Sequence, residues 1–278
     1  MDHVLFVGKS LSDMERGFAD AGFESTYGGS HDTNPTHNSL IGFADGSYIE
    51  LLSTVTPEVD DPMRNHHMNN DAGPCGWAIE VDDLDRIIER GDRAGLDTWG
   101  PIAMSRETPR DTVASWELAG YESAVRGELL PFFISDTTPR ERRISPTDGV
   151  AGSELTGIET VVIGTSDLDR TTQLFESVFD LPVSRQETDP DQQLELVQYP
   201  AESIVLASPT AESSWLTDRL DKFGDGISAF AIGTAHFDRS VETRPVSDRS
   251  NWFGRSIGWL DVGPYTGKIG VVGDGNPP

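Results

Sequence analysis

The chain has 278 residues, enough for two ordinary domains, and its 36% hydrophobic content suits a folded protein. It carries 47 acidic residues against 21 basic ones, a formal net charge of −26. A field this negative repels phosphate backbones and anionic lipid surfaces, which argues against nucleic-acid and membrane partners.

Lysine is confined to Lys9, Lys222 and Lys268, and arginine supplies the other basic side chains. The acids are scattered among regular apolar runs, the pattern of a folded protein with an acidic surface rather than of a disordered one. Such lysine-poor surfaces resemble those of proteins from salt-in halophiles. They predict stability that rises with salt, since the Debye length shrinks to about 3 Å at 1 M. Cys75 is the lone cysteine, so no internal disulfide is expected. The start of the chain lacks the basic and apolar segments of a signal peptide, and no window reaches the ~18 apolar residues of a membrane helix. The expectation is a soluble, cytoplasmic protein, monomer or homodimer, with a small-molecule ligand.

In chain order, the first predicted element is an apolar strand, Val4 to Val7, headed by His3. Ser10 is placed to cap a helix, with Asp13 at the capping-box position and Leu11, Met14, Phe18 and Ala21 at helical spacing. Gly22 suits the C′ position. Phe23 to Tyr27 reads as a strand and Ser30 to Thr36 as a polar loop. Asn38 to Ala44 and Ser47 to Leu52 read as strands joined at Asp45-Gly46. Alternation puts Tyr48, Glu50 and Leu52 on one face of the last strand. A carboxylate among apolar neighbours needs a partner or a cleft. The plainer alternative is a solvent-facing glutamate or an ordinary ion pair. Read as a βαβββ module, the stretch brings His3 and Glu50 into one hollow.

Thr56 to Pro74 reads as a linker, with His66 and His67 in a solvated loop. At Gly76 the pattern restarts. Trp77 to Val81 is a strand, and Asp83 caps a helix carrying Leu84, Ile87 and Ile88. Strands at Thr98 to Ile102, Val113 to Leu118 and Leu129 to Ser135 follow, with a charged mouth loop from Arg106 to Asp111. Thr137 to Ser153 is a second linker, containing Arg140, Arg142 and Arg143. Beyond it, Ile158 to Gly164 is a strand and Asp167 caps a helix. Asp83-Leu84-Asp85-Arg86 recurs intact as Asp167-Leu168-Asp169-Arg170, each time just after an apolar strand, which marks a repeat. Leu194 to Tyr199 and Ser203 to Ala207 are further strands. A last copy runs from Ile227 to Asp274, with a short helix near Phe237 and strands near Trp259 and Lys268. The expected organisation is a domain over 1–138 (modules 1–55 and 74–137), a linker over 139–153, and a second, diverged domain over 154–278.

Paired modules of strand, capped helix and three strands resemble the vicinal oxygen chelate superfamily, which includes glyoxalase I, bleomycin-resistance proteins and extradiol dioxygenases. The first half is similar to the glyoxalase-like domain family. Asp2-His3, Gly29-Ser30-His31, Thr36-His37-Asn38, Tyr48-Ile49-Glu50-Leu51 and Leu130-Pro131-Phe132-Phe133-Ile134 carry that likeness. It covers residues 1–140; from 154 onward it is generic.

The resemblance implies an α+β fold of two tandem domains, each a half-barrel of paired modules. It also implies a divalent ion (Mn, Fe, Zn, Ni or Co) that polarises two neighbouring substrate oxygens. His3 and Glu50 fall at the ligand positions of the first module, and His31 is placed to join them. The second module departs from the pattern. Gly76 or Trp77 matches His3, and Phe132-Phe133 falls where Glu50 should be. In the third module Glu159 or Thr160 matches His3 and Val205 matches Glu50. Without metal the same hollow is a pocket, with Glu50 and His31 as acid–base groups and Asn38, Tyr48, Trp77, Trp116, Phe132 and Phe133 against the substrate. Two functions follow as expectations. One is an isomerase, lyase or dioxygenase-type enzyme acting on a small oxygenated molecule. The other is a metal-free binding protein of the bleomycin-resistance type.

Overall fold

Alternation along the first strand decides the layout of the first half. In β1 (His3–Val7), Val4 and Phe6 point to one side and His3, Leu5 and Val7 to the other, and all five are buried. A strand buried on both faces needs a layer on each side. The computed structural model describes residues 1–30, 35–55, 62–107, 112–122, 129–181, 184–199 and 203–273.

After β1 come α1 (Leu11–Asp20), β2 (Thr26–Ser30), β3 (Thr36–Gly42) and β4 (Tyr48–Thr54). Then follow α2 (Pro62–Asn69), β5 (Gly73–Glu80), α3 (Leu84–Arg93), β6 (Asp97–Glu107), β7 (Val113–Glu122) and β8 (Phe132–Asp136). The eight strands form one sheet in the order β2-β3-β4-β1-β5-β8-β7-β6. Two like modules therefore meet at the antiparallel β1–β5 seam, and within each module the first strand runs parallel to the last. Helices α1 and α3 cover the convex face, burying Leu11, Met14 and Phe18 from one and Leu84 and Ile87 from the other.

The second half repeats the plan. Its elements are β9 (Leu155–Gly164), α4 (Leu168–Phe179), β10 (Arg185–Asp189), β11 (Leu194–Tyr199), β12 (Ile204–Pro209), α5 (Trp215–Phe223), β13 (Gly226–Thr234), α6 (Phe237–Thr243), β14 (Val246–Trp252), β15 (Arg255–Leu260) and β16 (Lys268–Gly273). The sheet order, β10-β11-β12-β9-β13-β16-β15-β14, reproduces the first. The repeated tetrapeptide has one job in both halves: Asp83 and Asp167 accept the Arg86 and Arg170 amides at 3.2 and 3.0 Å, capping α3 and α4. Ser10 caps α1 in the same way through the Asp13 amide.

The halves are joined by buried polar contacts. Arg219 of α5 donates to the carbonyls of Ala72, at 2.6 Å, and Pro74, both in the first half, and to that of Ile227 in its own. The Ile158 amide donates to Ser47 Oγ at 2.9 Å. No helix among the described residues is long and apolar enough to cross a membrane.

Four stretches depart from expectation. The segment read as a linker holds α2, and His67 is buried in it, its ring 4.9 Å from that of Phe223. β10 and β14 carry charged or polar residues at most positions, so the sequence signals no strand there. They are the two outer strands of the second sheet, where solvated side chains protect an unpaired edge. α5 also lies in a stretch read as no element.

Candidate functional site

The concave face of the first sheet gathers most of the polar residues singled out in the sequence. His3 sits opposite Tyr48, and Leu5 opposite Glu50, in the parallel β1–β4 ladder. Both His3 and Glu50 point to the concave side. His3 Nε2 lies 3.7 Å from Glu50 Oε2. The imidazole stacks on the Tyr48 ring at 4.5 Å and meets the edge of Phe132 at 5.3 Å. Its other nitrogen, Nδ1, is 2.5 Å from Asp2 Oδ1. Asn38, on β3, donates through Nδ2 to Glu50 Oε1 at 2.6 Å. Both ends of the His3–Glu50 pair are thus held by buried polar neighbours, which fixes ring and carboxylate orientation.

A second polar layer was not singled out from sequence. Arg143 comes from the segment read as a linker, just past a short 3-10 turn at Arg140–Arg142. Its Nη1 and Nη2 donate to Asp2 Oδ1 and Oδ2 at 3.0 and 2.8 Å. Nε and Nη2 reach Asp136 Oδ1 and Oδ2 at 2.7 and 2.8 Å, and Nη1 also donates to the Tyr48 hydroxyl at 2.8 Å. Arg140 adds a bond to Asp2 Oδ2 at 2.6 Å and an ion pair with Glu80 at 2.9 Å. Arg106, at the end of β6, donates to the Arg143 carbonyl. The available sequence signal was a basic cluster, Arg140 to Arg143, in a chain of net charge −26. It reads as part of a linker because nothing local shows which carboxylates it will meet.

Electrostatics follow from this packing. Burial alone would raise the Asp2 carboxyl, but hydrogen bonds and charge from His3 and Arg143 hold it well below the usual carboxylate range. Burial works against the Arg143 cation, yet Tyr48, Asp136 and Asp2 outweigh it and keep the guanidinium charged. Burial pushes the Tyr48 phenol far up, and Arg143 does not offset it, so Tyr48 remains a neutral hydroxyl.

Trp116 and Phe132 also face the concave side, in an apolar patch with Ala78, Ala114 and Ile134. Trp77 and Phe133 do not, and their assignment to the pocket is corrected. Trp77 pairs with Val4, not His3, and is fully buried in the convex core. Phe133 lies in the same core, its ring 5.3 Å from that of Tyr121. The seam and the helix caps together decide the module matching. His3 pairs with Ala78 across it, and these two pair in parallel with Tyr48 and Phe132. The caps Ser10 and Asp83 lie 83 − 10 = 73 residues apart, so the internal two-fold passes through the Val4–Trp77 pair and equates His3 with Gly76 and, through the parallel ladders, Glu50 with Phe132. The second module offers no side chain at Gly76 and a phenyl ring at Phe132 where the first has an imidazole and a carboxylate. His31 lies outside the described residues. The second sheet's concave face is largely apolar, with Leu194, Leu196, Val205, Trp252 and Trp259 packed together. A recess of about 420 Å³ opens on the first half's helix side, lined by residues including Lys9, Tyr27 and His37, away from the His3–Glu50 pair.

His3 Nε2 and Glu50 are the two donors available to a divalent ion. Among the described residues no group of three His, Cys, Asp or Glu side chains is placed to hold one. Buried Arg143 and Arg106 add positive charge beside them. The described donors therefore do not complete a metal site.

Two curled sheets, each built from two βαβββ modules, define tandem domains of the vicinal oxygen chelate type. The family model described as glyoxalase-like domain matches residues 1–179, and the chain belongs to that family. A search of curated proteins found no match. Among solved structures, a hypothetical protein from Staphylococcus aureus is 16% identical, with a TM-score of 0.65 over 99% of this chain and 98% of that one. A mutant 4-hydroxymandelate synthase from Streptomyces coelicolor is 14% identical, with a TM-score of 0.66 over 100% of this chain and 93% of that one. At these identities the likeness is one of fold.

Proposed function

We propose that the concave face of the first sheet binds a small oxygenated organic molecule and shuttles a proton on it, as an isomerase or lyase does. The observation that carries this reading is the chain Asp2–His3–Glu50–Asn38, in which each titratable group is oriented by its neighbour. With one oxygen of Glu50 engaged by Asn38, the other faces His3 across 3.7 Å. Glu50 is the base: it takes a proton from a carbon next to a carbonyl, and the electron pair moves onto the carbonyl oxygen. Asp2 holds the His3 ring through Nδ1, which aims Nε2 at that oxygen. Returning the proton to the same carbon on its other face, or to a neighbouring atom, completes an isomerisation. Loss of a neighbouring leaving group instead completes an elimination. Tyr48, stacked on the ring, restricts its rotation.

A second reading, metal-free sequestration of a ligand, is favoured by Gly76 and Phe132 at the second module's equivalent positions, neither of which can ligate through a side chain. Both readings are tested by ¹H NMR in D₂O, following exchange of α-protons in a panel of small 2-oxo and 2-hydroxy compounds. Exchange that is lost in Glu50→Gln and His3→Gln supports the enzyme. Saturable binding with no exchange supports the binder. Metal analysis of wild type and Glu50→Ala, purified without chelators, runs alongside. A stoichiometric Mn, Fe, Zn, Ni or Co ion lost in the variant would replace the proton-shuttle reading with a Lewis-acid one.

A further inference from the structure

Arg106 stands apart from the other buried cations of the cleft. It is 9% exposed and lies on the concave face of β6, opposite Ala114 and two residues from Met104, which pairs with Trp116. Its guanidinium crosses from this outermost strand of one module to the outermost strand of the other. A Cβ added at Gly28, on β2, would sit 3.1 Å from Arg106 Nη1 and 2.3 Å from Asn38 Oδ1. Arg106 therefore closes over the Asn38–Glu50 end of the site.

One nitrogen is occupied, Nη2 by the Arg143 carbonyl. Nε is buried and has no hydrogen-bond partner. Among the described residues no carboxylate forms an ion pair with Arg106. Asp2 and Asp136 are taken by Arg143 and Arg140, and Glu50 lies against Asn38 and His3. A desolvated guanidinium with a free donor and no counter-charge is costly, unless a ligand brings the charge. The planar fork of arginine matches the two oxygens of a carboxylate.

We propose that Arg106 is the carboxylate-binding residue of the cleft, so that the substrate is a small oxyacid. Its carboxylate sits on Arg106 and its neighbouring carbonyl or hydroxyl carbon faces the His3–Glu50 pair. This assignment rests on the proton-shuttle reading for its second half only; the carboxylate contact stands without it.

The probes are pyruvate and hydroxyacetone, which share a methyl ketone and differ in carrying a carboxylate or a neutral hydroxymethyl group. Binding is measured by ligand-observed NMR in molar KCl, and methyl-proton exchange into D₂O is followed in the same tubes. Pyruvate is expected to bind at least tenfold tighter than hydroxyacetone. Arg106→Gln is expected to erase that preference, and Arg106→Lys to retain part of it; melting curves identify any variant that has not folded. Glu50→Gln is expected to keep the preference for pyruvate while losing exchange. Equal binding of the two ketones, binding of neither, or a preference that survives Arg106→Gln overturns the assignment. Preference for pyruvate without any exchange would leave Arg106 in place and remove the proton shuttle instead.

Discussion

Asp2 and Arg143 lie 141 residues apart and share two hydrogen bonds, at 3.0 and 2.8 Å, with both side chains buried. Asp2 also holds His3, so a residue from beyond the first sheet sets the position of a side chain on its first strand. Removing one member of such a pair strands the other charge, at a cost of about 3–5 kcal/mol, whereas replacing both by neutral groups is close to neutral. Arg143→Met should therefore lower unfolding free energy by roughly that amount, and Asp2→Asn/Asp136→Asn/Arg143→Met, which removes both carboxylates that Arg143 holds, should recover much of it. Urea titrations at fixed salt measure both.

The same carboxylate sets an acid limb. Its folded pKa lies well below the ordinary Asp value of about 3.9. The stability it contributes is therefore fully present above about pH 4 and is lost as the pH falls from there toward the folded value. Asp2→Asn should be less stable than wild type at pH 7 but flatter between pH 5 and pH 3. Denaturation midpoints taken across that range provide the check; parallel slopes would contradict it.

Gly28 leaves room for the Arg106 and Asn38 groups that close the cleft. Adding one methyl group in Gly28→Ala pushes on both. The expected outcome is a tenfold or greater loss of pyruvate affinity. The melting temperature should fall by only ~2–4 °C, the equivalent of about 1 kcal/mol in a chain of this size. Ligand-observed NMR and a thermal melt on the same sample separate the two effects.

Trp77 and Trp116 test the assignment of faces. Trp77 is fully buried against the helices, and Trp77→Ala should cost about 3–5 kcal/mol of stability. Trp116 lies on the concave side with Phe132 against it, so Trp116→Ala should cost ligand affinity at a smaller loss of stability. Equal effects on binding and stability in the two variants would mean the faces are wrongly assigned.

At alkaline pH the burial of phenols gives a further signature. Burial pushes Tyr121, Tyr199 and Tyr265 up to about 12. Each folded value lies above the unfolded value of about 10. The stability these residues contribute is thus present below pH 10 and is lost as the pH rises through 12. Absorbance at 295 nm should show these three ionising together with unfolding, not before it.

The His3–Glu50 pair was readable because two simple periodicities agree. The first and last strands of a βαβββ module are neighbours, and strict alternation puts residues 3 and 50 on the same side. Helix caps at Ser10, Asp83 and Asp167 were readable because capping is local chemistry. The placement of Trp77 was not readable. One gap decides whether His3 matches Trp77 or Gly76, and only the second choice puts Trp77 with Val4 on the convex face. The roles of Arg143 and Arg106 were hidden for a different reason. Their partners are distant in sequence, and a basic residue beside a turn looks the same whether it will meet water or a buried acid. α2 escaped notice because Asn65-His66-His67-Met68-Asn69 shows little apolar periodicity. His67 is buried in it only because Phe223 of the other half packs over it.

The position of Arg143 has a practical consequence for anyone dividing the chain. A fragment cut where the first sheet ends, at Asp136, would keep every strand yet leave Asp2 and Asp136 without their counter-ions. The shortest piece worth expressing alone has to extend past the turn, through Val150, whose amide closes on Thr147 and so completes the strap that Thr147 pins to Gly42. Shorter versions would misreport the chemistry of the half-barrel by dismantling its scaffold.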